Sequence, residues 1–182
     1  MSCMRRRHVV LGASAMLLGA CSSVPLSTMW KFARFDRDAF LAIDPAQLRA
    51  AALTDARATM KDVTIRVTLT AKEGAPREGV IVLTDPVSRD AHLTAAPAGR
   101  RWNIFALTPD AQREFKTLRE AALRMPAGSS MTLGVSASEG TVPPDLMTRF
   151  PLRLDMQLNT AEGWFTLLKD GELDLTKSTR KA

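Results

Sequence analysis

Few side chains in this 182-residue chain have the type and spacing that covalent or metal chemistry requires. Beyond residue 21 the only histidine is His92 and no cysteine follows, so a zinc site of the usual His/Cys kind cannot be assembled and no metal is expected. His92 is therefore the general base on which a hydrolase would have to rely; the plainer reading is a hydrogen-bonded strand histidine. Ser136, in Gly134-Val135-Ser136-Ala137-Ser138, lacks the second glycine of a nucleophile elbow and sits inside a strand pattern. Ser178 and Lys181 have the spacing of a Ser–Lys pair, yet they lie in the last five residues, where nothing buries the lysine to lower its pKa. Asp170, Glu172 and Asp174 alternate as they would on one strand face, without the glycine-rich loop of a calcium site, and read as a solvated face. Phosphate-binding and dinucleotide-binding fingerprints are both missing from the sequence. These residues lead to the expectation that the protein is not an enzyme and uses no cofactor.

Cys21 stands apart because of what precedes it. Arg5, Arg6 and Arg7 are followed by the uncharged apolar run Val9 to Leu18, which is too short to cross a bilayer as a helix of about twenty residues. The run ends in Leu18-Gly19-Ala20-Cys21, where an ordinary secretory signal offers small residues with no cysteine after them. In these first twenty-one residues the chain resembles the bacterial lipoproteins, whose lipobox is a leucine, two small residues and a cysteine. The resemblance implies removal of residues 1–20, a diacylglyceryl thioether on the Cys21 sulfur and an acyl group on its new amino terminus. It also implies an outer-membrane address, facing the periplasm, since Ser22 is not the aspartate that retains such proteins at the inner membrane. Arg6-Arg7-His8-Val9-Val10 resembles a twin-arginine export signal, although lipoproteins of the general secretory route also begin with arginines.

Residues 21–182 suffice for a single domain that buries roughly 70% of the surface of its unfolded chain. Three of the 25 basic residues lie in 1–20, which leaves 22 against 19 acidic ones, too small an excess to imply nucleic acid. With Cys21 acylated no disulfide can form, so stability has to come from a core. Residues 21–28, with Pro25 opposing helix, read as the acylated cysteine and its tether; 29–176 as one periplasmic domain; 177–182 as a basic tail.

The elements that must position any contact surface follow from periodicity. From Met29 to Ile43 aromatic and basic residues mix on a helical projection, and Trp30, Lys31, Phe32, Arg34 and Phe35 could touch the membrane surface beside the anchor. The competing reading packs this segment onto the domain, because Asp36, Asp38 and Asp44 suit anionic lipid poorly. Asp44-Pro45-Ala46-Gln47 has the form of a helix start, and residues 48–53 are open between helix, which their alanines favour, and strand. Val63, Ile65, Val67 and Leu69 alternate with polar residues, predicting a half-buried strand. Val80 to Thr84 reads as a strand buried on both sides, and His92–Ala95 and Trp102–Leu107 as a pair. Thr108-Pro109-Asp110 opens the one long helix, whose stripe is Ala111, Phe115, Leu118, Ala122 and Met125. Strands resume at Met131–Ala137, Leu152–Leu158 and Gly163–Lys169, with Asp170-Gly171 predicting a two-residue hairpin into Leu173 and Leu175.

The expected fold is mainly β: an antiparallel β-sandwich or twisted sheet of about eight short strands, with one amphipathic helix (108–125) and an N-terminal helical segment. Such a plan is similar in architecture to the type VI secretion lipoproteins, with no motif shared. The function it suggests is a membrane-anchored envelope lipoprotein that binds or assembles with an envelope protein. The alternatives are a carrier for a lipid or other apolar ligand, which would need a large apolar cavity, and, third, a hydrolase using His92.

Overall fold

The computed structural model describes residues 35–71, 75–88, 93–126 and 129–178, together with Pro25 and Asp90. The chain is mainly β, with seven antiparallel strands in one curled sheet, a half-barrel. In chain order the elements are α1 (Arg37–Leu41), β1 (Arg49–Asp55), β2 (Met60–Thr70), β3 (Arg77–Val87), β4 (Arg100–Leu107), α2 (Pro109–Leu123), β5 (Ser130–Glu139), β6 (Phe150–Gln157), β7 (Phe165–Leu173) and α3 (Leu175–Ser178). A single 3-10 turn, Pro144–Leu146, precedes β6. Across the sheet the order is β5-β2-β3-β4-β1-β6-β7.

Period-two alternation sorts each strand onto the two faces of the sheet. Val63, Ile65, Val67 and Leu69 of β2 meet Phe105 and Leu107 of β4 and Phe150 to Met156 of β6 in a core on the concave side. Helix α2 covers that core. Thr108 caps it, its Oγ1 accepting from the Ala111 amide at 3.2 Å, and Pro109 opens it without wasting an N–H. The stripe buries Ala111, Phe115 and Ala122. Phe115 meets Phe40 of α1 with ring centroids 5.2 Å apart, so the short N-terminal helix is held by aromatic packing. Where α2 crosses β3, a Cβ on Gly79 would lie 2.2 Å from Leu118 Cδ2. A larger residue at 79 would have to push the Leu118 side chain aside.

Three expectations about elements are corrected, and one that the residues left open is decided. Residues 49–55 form β1, hydrogen-bonded between β4 and β6. The cap chemistry at Asp44 holds for one turn, with Asp44 Oδ1 accepting from the Ala46 amide at 2.9 Å and Oδ2 from Gln47 Nε2 at 2.9 Å, before the chain extends. Ala50, Ala51 and Ala52 are wholly buried there; small side chains suit the middle of a sheet covered on both faces. Residues 93–97 form no strand, and His92 itself lies outside the described residues; β4 instead pairs with β1 and with Asp85–Val87 of β3. The β3 strand is buried on one face only, since Val80 is 43% exposed. Finally, Asp170-Gly171 makes no hairpin: β7 runs through it. Lys169 and Asp170 oppose the single residue Arg153 between the pairs Leu152–Gly171 and Leu154–Leu168, a bulge, and Asp170 takes φ 45°. Leu175, expected on a further strand, opens α3 and is buried, its amide donating to Met147 O at 2.9 Å.

Candidate binding face

The outer face of the sheet divides along its length. Over β2 it carries Thr64, Arg66 and Thr68, none of them buried. Over β4, β1 and β6 the outward residues Ala51, Leu53, Ile104 and Ala106 are buried although they stand outside the main core, and so are Asp155 and Gln157. Register explains the cover. Trp102, Leu53 and Arg153 form one row across β4, β1 and β6, and the long outer side chains bend toward each other over Leu53. The Arg153 guanidinium carbon ends 5.6 Å from the Trp102 ring centroid, a cation–π contact. In the next row Ile104, Ala51, Asp155 and Thr166 lie side by side, and the small Ala51 leaves room for the two large pairs to close above it.

Arg153 is the hub. Its Nε donates to Asp155 Oδ1 at 2.9 Å and its Nη2 to Asp155 Oδ2 at 2.8 Å, a bidentate pair, and Nη2 also donates to Thr166 Oγ1 at 3.1 Å. The Asp155 side chain is 3% exposed and that of Arg153 32%. A carboxylate buried this far is tolerated because it is paired and hydrogen-bonded. The same hydrogen bonds hold the Arg153 pKa above its ordinary value, with the Asp155 charge adding to the effect. Trp102 is fixed from its far side, Nε1 donating to Thr94 O at 2.9 Å. Arg100 lies on the rim, donating from Nη2 to Leu53 O at 2.7 Å and standing 3.8 Å from Asp170 Oδ1. The bulge in β7 is what brings Asp170 to this rim. One step past the Met156–Phe165 pair, the register puts Trp164 opposite Gln157. Gln157 Nε2 and Trp164 Nε1 are buried donors with no partner among the described residues.

What this face can do is bind. It presents a fixed cation on an aromatic ring and an exposed carboxylate at the rim; no nucleophile stands beside a base among its described residues.

The residues singled out in the sequence mostly lie elsewhere. Arg5, Arg6, Arg7, Leu18, Gly19, Ala20 and Cys21 are outside the described residues, as are Trp30, Lys31, Phe32, Arg34 and His92. Phe35 is described, half-buried and packed against the core, where it helps line a small apolar space near α1. Asp36 N-caps α1, its Oδ1 accepting from the Ala39 amide at 2.9 Å. Asp170, Glu172 and Asp174 do not converge: Asp170 faces Arg100, Glu172 makes a two-point pair with Arg149, and Asp174 Oδ1 accepts from the Thr176 amide. No group of three or more metal-ligating side chains occurs among the described residues. Ser136 lies outward on β5, opposite Thr64 of β2.

Sequence reasoning passed over Arg100, Trp102, Arg153 and Asp155. The signal was present as Arg-x-Trp and Arg-x-Asp, polar residues two apart within apolar strands, which marks an outward row. Comparison with family models, with curated proteins and with solved structures finds no match to this chain.

Proposed function

We propose that this protein is a lipid-anchored lipoprotein of the cell envelope whose domain works by contact, docking an envelope protein on the outer face of β4, β1, β6 and β7. The lipobox supplies the anchor: two chains on the Cys21 sulfur and one on its amino group exceed the two signals that stable membrane attachment needs. The observation that carries the contact reading is the ordered Arg153–Asp155–Trp102 group. It is built from β4 and β6 across β1, it is not required to close the concave core, and it leaves the Arg153 side chain partly exposed. The carrier alternative is less favoured, because the apolar space lined by Phe40 and Phe115 has a volume of about 20 Å³, room for one water, and the larger hollows beside it, of about 260 to 640 Å³, are lined in part by charged residues such as Arg37, Glu162 and Arg124.

The test is complementation of whatever envelope defect deletion produces, at matched abundance. Cys21→Ser should remain an unprocessed precursor without acyl mass and fail to complement. His92→Gln should complement fully. Trp102→Ala, checked for retained fold by circular dichroism, should fail while still lipidated. A folded His92→Gln variant as inactive as the deletion would overturn the non-enzymatic reading.

A further inference from the structure

The two edges of the sheet are built differently. At β7 the strand carries Lys169, Asp170 and Glu172 and is broken by a bulge, devices that discourage a further strand. At β5 residues 130–138 carry no charge and no proline, and the strand is ten residues long with no neighbour on its outer side among the described elements. Its inward row is also unfinished. Ile65, Val67 and Leu69 on β2 are at most 6% exposed, whereas their partners on β5, Val135, Leu133 and Met131, are only partly buried. Among the described elements no strand lies on their other side.

Gly134 points to the occupant. A glycine in a strand interior weakens it and commonly marks a close approach by another backbone. Among the described residues nothing crowds it: Gly134 has no positive φ, and a Cβ added to it would meet only Arg66 Cβ at 3.9 Å, an ordinary contact. We propose that β5 pairs antiparallel with β5 of a second copy, about a two-fold axis through Gly134, so that two seven-stranded sheets become one. In that register Leu133 faces Val135 and Met131 faces Ala137 on the concave side, and Thr132 faces Ser136 and Ser130 faces Ser138 on the outer side. Apolar residues meet apolar ones, hydroxyls meet hydroxyls, and no like charges oppose each other. Shifting the register by one residue would set Met131, Leu133 and Val135 against outward side chains. A symmetric, self-complementary edge is what a two-fold dimer requires. This pairing is independent of the contact face proposed above, which lies toward the opposite edge.

Cysteine cross-linking of the full chain in its own cells tests the register. Gly134→Cys should form a disulfide-linked dimer on mild oxidation, well above the background of the parent chain with Cys3 and Cys21. Thr132→Cys and Ser136→Cys should each cross-link poorly alone and efficiently when co-expressed, because each faces the other across the axis. Gly134→Lys, which sets two ammonium groups against each other, should turn a detergent-purified dimer into a monomer in light scattering with an unchanged circular dichroism spectrum. A monomeric wild-type chain, a Gly134→Cys adduct with a different protein, or Thr132→Cys cross-linking as well alone as in the mixed pair would each overturn the proposal.

Discussion

The concave and outer faces of this sheet are held together by different physics. On the concave side burial is apolar throughout the centre: Phe40, Phe115, Phe150 and the alternating residues of β2 are in contact, and stability follows area and shape. On the outer side, over β1, the buried residues include Asp155 and Gln157, and the cover is a cation over a ring. There stability depends on pairing, because the charge is tolerable only while Arg153 holds it. Over β4, β1 and β6 the outer face is closed without a second sheet because small residues there lie under long ones.

The largest effect should come from violating the concave rule. Phe115→Asp puts an unpaired carboxylate where the side chain is 1% exposed and should unfold the domain, a loss above about 4 kcal/mol that circular dichroism would register. Next is the outer rule. Arg153→Ala strands the buried Asp155 carboxylate and should cost about 3–5 kcal/mol in urea unfolding. Replacing both partners by apolar residues, Arg153→Met with Asp155→Leu, should cost much less than the single change. If the double variant is as unstable as Arg153→Ala, the outer face is ordinary packing and the contrast between the faces fails.

Shape on the concave side gives a smaller effect. Gly79→Ala pushes Leu118 away from β3 and should cost about 1–3 kcal/mol, partly recovered by Leu118→Ala, which makes room for the new methyl. The smallest effect should be at the sheet end, where Arg57 bonds both Asp55 and Asp145. The Arg57 hydrogen bonds hold the Asp55 carboxyl below its ordinary pKa. A group depressed on folding stabilises above its unfolded pKa and loses that contribution as pH falls through its folded value. The urea midpoint of the wild type should therefore fall slightly faster than that of Asp55→Asn below about pH 4. Parallel curves would show that this exposed cluster adds nothing.

Much of the fold could be read in the residues, where the determinants are local. Thr108, Pro109 and the four-three spacing to Phe115 and Ala122 placed α2, because capping and helical period act within a few residues. The strict alternation of 63–70 placed β2 in the same way. Residues 49–55 were not legible: alanine prefers helix by only about 0.7 kcal/mol or less per residue over ordinary residues, and pairing with β4 and β6 outweighs that. At Asp170-Gly171 the dipeptide has hairpin chemistry, but β6 continues opposite it, so the same left-handed residue makes a bulge.

The sequence by itself determined the mainly β character and the amphipathic helix, since each rests on residue types at short spacing. Only the tertiary structure decided that Trp102, Arg153 and Asp155 share a face. They are about fifty residues apart along the chain and meet through β1, which pairs with both of their strands. Strand pairing is non-local, and its register is set by the energy of the whole sheet, which no short window of residues contains.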